Sequence, residues 1–246
     1  MSDSDGMAFA GWGPDAVAWL TEIRVFNERS WFHENKARYE REVRGPMLAL
    51  LDELAGLFGP GKVFRPNRDV RFSRNKEPYK PWVAATIGEE GRVAARYVQL
   101  DAERLLVGAG AYGFEREALQ RYRQAVLAEA SGRPLDEIVR TLRDEGYGVG
   151  GETLKRGPRD VDPEHPRIGL LKHTGLTMRQ TYEVDAWLAD PGEVLVLAVG
   201  VARDGARADV GARTHRGVAD VGEMVDLRAV ADARGLHLHE VADARL

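Results

Sequence analysis

Residues 68–82 read RDVRFSRNKEPYKPW, and this stretch is the densest in charged and hydrogen-bonding groups in the chain. If this stretch is a strand, successive side chains point to opposite faces, so that Val70 and Phe72 lie on one face. Side chains on the other face form a polar cluster, and these are Asp69, Arg71 and Ser73. The first half of the stretch is therefore predicted to be a strand at the edge of a sheet.

Two prolines make the second half of the stretch a stiff connector. Pro78 and Pro81 disfavour helical backbone at the residues before them, so the EPYKPW segment is expected to be extended. Such a connector places Lys76, Tyr79 and Lys80 beside the polar face. The stretch is then either the wall of a binding site or a salt-bridged sheet edge.

Outward from this stretch, the chain groups its strands together between helices. Alternating and apolar segments predict strands at 63–73, 82–87, 93–100, 104–107 and 177–184, with a hairpin turn at 89–91. Apolar residues at helical spacing predict helices before residue 59 and after residue 113. Because strands and helices do not alternate, the sequence predicts an α+β fold: an antiparallel sheet with N-terminal helices and further helices packed on it.

The composition of the chain changes after Trp187. No aromatic residue and no lysine follows this position. We therefore predict an α+β domain over residues 9–189 and a divergent segment over 190–246, which is either irregular or a small αβ appendage. Because a segment without aromatic side chains buries little apolar area, a chain ending at residue 189 is expected to fold.

Charge and composition exclude several classes of function for these 246 residues. The net charge of −4 provides no overall positive field, so membrane surfaces are excluded and nucleic acid is disfavoured as a partner. The sequence has no cysteine, which excludes disulfides, thiolate nucleophiles and Cys-ligated metals. Its start is too acidic for a signal peptide, and its longest apolar run, 194–202, is too short to span a membrane. We expect a soluble, cytoplasmic protein, and the oligomeric state stays open.

Residues 62–82 are a local exception, with seven cations against two carboxylates, a net charge of +5. Clustered arginines and lysines can bind a phosphate or a carboxylate. A second basic, proline-punctuated stretch at 154–173 could complete the pocket, and we expect Arg71 and Lys80 to share a cavity with at least one of Lys155, Arg156 and Arg159. The predicted ligand-binding residues are Arg68, Asp69, Arg71, Ser73, Lys76, Tyr79, Lys80, Lys155, Arg156 and Arg159. The alternative is a structural network in which Asp69 pairs with Arg71 or Arg68.

Three residues are candidates for catalysis, namely His165, Asp69 and Tyr79. The cations near His165 in sequence would lower its pKa and suit it to proton transfer. The alternative is a loop histidine that is hydrogen-bonded to backbone. No catalytic motif accompanies these residues, so the sequence leaves open whether the protein is an enzyme.

Two further patterns are weak. His33 and Glu34 lack the second histidine of the HExxH zinc motif, and the His237 and His239 pair lacks a third ligand, so no metal is predicted. GAGAYG at 108–113 matches the glycine spacing of a dinucleotide loop. No parallel strand follows the next helix, however, so we expect a tight turn at this point and no cofactor.

Three strings of the sequence resemble the domain of unknown function 2461 family. They are NERSWFHENKARYEREVRGP, RDVRFSRNKEPYK and LKRGPRDVDPEHP, and the resemblance covers roughly residues 9–185. RFS-x-x-K-x-PYK is the most specific part, although Asn75 stands where the family usually has an aspartate. The resemblance implies an α+β domain and no particular activity.

The sequence thus predicts that a small phosphate- or carboxylate-bearing ligand binds at the basic cluster of 68–80, with or without turnover. The alternative is a non-catalytic interaction protein whose basic edge docks an acidic protein or nucleic acid. These two functions differ in geometry, because a ligand site needs a concave pocket and a docking surface needs an exposed one.

Overall fold

The structure is a computed structural model that describes residues 8–88 and 95–200. The strands are β1 (Gly61–Val63), β2 (Trp82–Ile87), β3 (Ala95–Asp101), β4 (Arg104–Ala111), β5 (Gly148–Gly150) and β6 (Leu176–Glu183). They form a six-stranded sheet in the order β1-β2-β3-β4-β6-β5, and all neighbouring strands are antiparallel. The predicted α+β fold with an antiparallel sheet is confirmed.

Some helices precede the sheet in sequence, and others lie between β4 and β6 or follow β6. They are α1 (Pro14–Val25), α2 (Arg29–Glu34), α3 (Lys36–Arg38), a π-helical turn (Tyr39–Arg44), α4 (Gly45–Phe58), α5 (Arg116–Leu127), α6 (Glu129–Asp144) and α7 (Ile168–Leu171). A 3-10 turn (Ala186–Ala189) leads to a last helical segment, α8 (191–200). Pro14 begins α1 because its fixed φ suits the first helical position.

The main core lies between the N-terminal helices and the sheet. Trp19 of α1, Leu50 of α4 and Leu100 of β3 belong to this core and are at most 1% exposed. A second, smaller core joins α5, α6 and α7, where Tyr122 and Leu171 are buried. The helices thus bury the apolar residues of the sheet, as expected of a two-layer α+β fold.

The main core also contains side chains beyond residue 189. Val194 and Ala198 of α8 are both buried in it. A chain ending at residue 189 would lack these two contacts. The boundary between 9–189 and 190–246 stays a prediction, and residues 201–246 and the expected hairpin turn at 89–91 lie outside the described residues.

The predicted strand at 63–73 is wrong beyond Val63. Residues 64–81 form a loop between β1 and β2, and its one isolated bridge pairs Asn67 with Tyr79. Phe72, expected on an apolar sheet face, is 96% exposed. Side chains within the loop hydrogen-bond to its backbone, and such local bonds compete with a sheet ladder.

The expected tight turn at 108–113 is also wrong for most of its length. Gly108 and Gly110 lie inside β4, next to β6. Gly110 has a φ of +130°, and a Cβ there would be 2.3 Å from the carbonyl oxygen of Leu176. Glycine is therefore required in this strand for close approach of the neighbouring backbone.

Among the described residues, no helix has both the length and the apolar character needed to cross a membrane. The cytoplasmic location expected from the sequence stays a prediction.

Candidate functional site

A cleft of about 710 Å³ lies between the helical segment 29–40 and the loop 64–81. Most of the residues that line it are polar or charged. The lining residues are Arg29, Ser30, Phe32, His33, Lys36, Glu40, Pro66, Asn67 and Tyr79. Two sequence strings of the family resemblance therefore meet here, one from the helices and one from the loop.

One helical path carries the basic residues of the cleft. The amide of Asn35 donates to the carbonyl oxygen of Trp31 at 3.0 Å, and the amide of Tyr39 donates to that of Asn35 at 3.1 Å. Helical hydrogen bonding thus continues from α2 through α3. Residues four and seven positions apart on such a path share a face, and Arg29, His33 and Lys36 have this spacing.

Asn27 attaches the loop to the helices. Its side-chain amide donates to the Tyr79 carbonyl oxygen at 3.1 Å, and its side-chain oxygen accepts from the Tyr79 amide at 3.0 Å. The Tyr79 ring stacks on Phe32, with centroids 4.0 Å apart and planes 11° from parallel. Backbone and ring contacts together fix Tyr79 as the shared wall of the cleft.

The cleft carries an excess of positive charge. Among the described residues that line it, Glu40 is the one carboxylate, and Arg44, which is not in the lining, donates to it at 3.2 Å. Within residues 8–88 and 95–200, neither Arg29 nor Lys36 forms an ion pair or a side-chain hydrogen bond. These two cations are therefore available to a negatively charged ligand.

Most of the predicted cluster lies elsewhere on the loop, and Tyr79 is its one member in the cleft lining. The Arg68 guanidinium sits over the Trp82 ring at 5.6 Å and reaches both Glu77 and the Tyr79 carbonyl oxygen at 3.4 Å. The Lys80 ammonium donates to the Arg65 carbonyl oxygen at 3.0 Å. Burial and then the charges of Arg65 and Arg68 hold the pKa of Lys80 below its usual value.

Arg71, Ser73 and Lys76 bond within the loop. Arg71 donates two hydrogen bonds to the Asp69 carboxylate, at 3.0 and 2.7 Å, and thereby lowers the pKa of Asp69. Lys76 donates to the Val70 carbonyl oxygen at 2.9 Å, and Ser73 accepts from the backbone at position 75. This arrangement matches the structural alternative for Asp69 and Arg71. Because the pair is exposed, it contributes little to stability.

The expected convergence of the two basic stretches is wrong. The loop 64–81 enters β2 at Trp82, whereas the stretch with Lys155, Arg156 and Arg159 follows β5 at the opposite edge of the sheet. Five strand spacings separate these edges, about 24 Å. The strand register also places the loop 64–81 and the stretch after β5 at opposite ends of the strands.

His165 matches the backbone-bonded alternative. Its ring Nδ1 accepts a hydrogen bond from the Arg167 amide at 3.1 Å, and its own amide donates to the Asp162 carbonyl oxygen. The cleft does not include His165. Its role in proton transfer stays a prediction.

His173 is a buried titratable group that the sequence reasoning did not use. It is 7% exposed, and its Nδ1 has no hydrogen-bond partner in the described part of the chain. Burial, and secondly the charge of Arg143, lowers the pKa of His173 below 6.5. The native state therefore takes up a proton at lower pH than the unfolded state does.

This shift predicts a loss of stability in acid. As pH falls below about 6.5, the unfolded state binds a proton that native His173 does not, so the free energy of unfolding decreases. Urea unfolding gives the free energy of unfolding of the wild type and of His173→Gln at each pH. The wild-type value minus the variant value should be constant above this pH and should decrease below it. Parallel pH profiles for the two proteins would contradict the prediction.

The sequence reasoning missed Arg29, His33, Lys36 and Asn27. The usable signal was the helical spacing of three basic side chains inside NERSWFHENK. That spacing marks one helix face, but the partner surface is far away in sequence, as the 52-residue separation of Asn27 and Tyr79 illustrates. The cleft becomes visible only when the fold joins the two segments.

Comparison with protein families identifies the family to which the chain belongs. Residues 15–198 match the family described as conserved hypothetical protein (DUF2461). The chain belongs to this family, as the resemblance of its three strings predicted. Searches of curated proteins and of solved structures gave no match.

Proposed function

We propose that the protein binds a small phosphate- or carboxylate-bearing ligand in the cleft between the helical segment 29–40 and the loop 64–81. The observation that carries the proposal is the pair of cations, Arg29 and Lys36, which line a concave wall without an ion pair in the described part of the chain. The proposal is limited to binding.

The chemistry of the wall suits an anion. Arg29 can donate two parallel hydrogen bonds to a phosphate or carboxylate, and Lys36 contributes a compact positive charge. Neutral donors lie among them on both walls, on Ser30, Asn67 and Tyr79. The attachment of Tyr79 through Asn27 keeps Tyr79 in place before the ligand arrives, which reduces the entropy lost on binding.

The proposed cations, Arg29 and Lys36, differ from those predicted from the sequence. Tyr79 is the one residue common to the predicted cluster and the cleft. Lys76 and Lys80 already donate to backbone carbonyl oxygens, and Arg71 is engaged by Asp69. A ligand at those residues would have to replace existing bonds. In the cleft it meets Arg29 and Lys36 without such competition.

Thermal unfolding with a panel of anions tests the proposal. Orthophosphate, pyrophosphate, succinate and citrate would each be compared with sodium chloride at equal ionic strength. A ligand that binds the native state is expected to stabilise it by about 2.7 kcal/mol at a hundredfold excess over its dissociation constant. If every anion gives the same melting temperature as sodium chloride, the proposal is wrong for these ligand classes.

A further inference from the structure

Phe72 marks a second feature of the loop, at the end away from the cleft. Its side chain is 96% exposed, the highest value among the large hydrophobic residues in the described part of the chain. Scattered apolar residues on a surface are common and need no explanation. Phe72 differs because the residues around it fix its backbone and because they are basic.

The tip of the loop is held by its own side chains. The backbone amide of Asn75 donates a hydrogen bond to the Ser73 hydroxyl at 3.1 Å. The backbone amide of Glu77 donates to the side-chain oxygen of Asn75 at 2.8 Å. Lys76 bonds to the carbonyl oxygen of Val70 from the other side of the tip. An aromatic side chain on so constrained a backbone loses little entropy when it is bound.

The charges around Phe72 select an acidic partner. Both carboxylates of the loop are engaged, Asp69 by Arg71 and Glu77 by Arg68 and Asn75. Residues 62–82 carry +5 and the whole chain carries −4, so the remaining residues sum to −9. An extended polyanion, such as nucleic acid or an anionic membrane, contacts more than the tip and is repelled by that remainder. A compact acidic protein surface contacts the tip alone, since screening limits charge effects to about 8 Å.

We propose that the tip, residues 70–76, docks into an apolar pocket with an acidic rim on a partner protein. Phe72 is the anchor that fills the pocket, in the manner of the few aromatic residues that dominate protein interfaces. Arg74 and its basic neighbours face the rim and speed association. This interaction is separate from anion binding, because no tip residue lines the cleft.

A peptide selection tests the proposal with a defined probe. Wild-type protein is immobilised and used to select from a displayed library of random peptides, and the enriched sequences are synthesised. We expect these peptides to combine acidic residues with large aliphatic ones. We also expect them to bind Phe72→Ala at least about tenfold more weakly, which corresponds to about 1.4 kcal/mol.

Tyr112→Ala is the matched control, because Tyr112 is an 85% exposed aromatic residue outside the loop. It should bind the peptides like the wild type, and melting curves should be the same for all three proteins. The proposal is overturned if no acidic peptide is enriched or if the peptides bind Phe72→Ala equally well. It is also overturned if a single-stranded oligothymidine, phosphatidylserine vesicles or a second copy of the chain shows the Phe72-dependent binding instead.

Discussion

Replacing Phe32 by alanine is expected to lower the free energy of unfolding by about 3–5 kcal/mol, the usual cost of removing a buried phenylalanine. Phe32 is 7% exposed and packs on the rings of Trp19, Tyr39 and Tyr79. The same ring forms part of the cleft wall. Loss of the Tyr79 stack should therefore also weaken anion binding, and urea unfolding with and without the best anion measures both effects.

Two variants make this experiment specific. Phe32→Leu keeps much of the volume and is expected to lose less stability than Phe32→Ala. Phe72→Ala removes the same side chain from an exposed position and should change the free energy of unfolding by no more than about 0.5 kcal/mol. A Phe32→Ala protein as stable as Phe72→Ala would show that the aromatic cluster is not packed as described.

Asn27→Ala is expected to detach the loop 64–81 from the helices. The substitution leaves the Tyr79 amide without its side-chain partner and the Tyr79 carbonyl oxygen with only the 3.4 Å contact from Arg68. An unsatisfied buried polar group costs about 1–3 kcal/mol. We expect a loss of about 2 to 3 kcal/mol in urea unfolding. Anion binding should weaken together with stability, because one wall of the cleft is no longer held in place.

Asn27→Asp tests the contributions of the two hydrogen bonds separately. Aspartate still accepts from the Tyr79 amide but cannot donate to its carbonyl oxygen while ionised. Its stability should lie between those of the wild type and Asn27→Ala. If Asn27→Ala melts like the wild type and binds anions equally well, the loop is held by other contacts and the role assigned to Asn27 is wrong.

The centre of the sheet was predictable because β2, β3 and β4 are apolar and close in sequence. The segment 82–87 was expected as a strand and is β2, and it pairs antiparallel with β3, which follows it without a helix between them. The loop 64–81 was not predictable from alternation alone. Val70 and Phe72 have strand-like spacing, but the side chains of Asp69 and Ser73 accept hydrogen bonds from nearby backbone amides, and these bonds favour a loop.

Of the residues predicted to bind a ligand, Tyr79 is the one that lines the cleft, and charge density explains why the others do not. Cations packed into a short loop find acceptors nearby, as Arg71 does with Asp69 and Lys80 with a backbone carbonyl. Arg29 and Lys36 lie on a helix face, and neither has an ion pair in the described part of the chain. Unpaired cations in a concave wall are therefore a better indication of an anion site than the number of cations in a segment.

Titration calorimetry with the anion that stabilises the wild type most tests the cleft directly. The proteins to compare are the wild type, Arg29→Ala and Arg71→Ala. The first variant removes an arginine side chain from the cleft, and the second removes one from the loop. Because a hydrogen bond to a charged group contributes about 1.5–3 kcal/mol, Arg29→Ala should bind at least about tenfold more weakly. Arg71→Ala should bind like the wild type. Loss of binding in Arg71→Ala with unchanged affinity in Arg29→Ala would contradict the account and return the ligand to the loop.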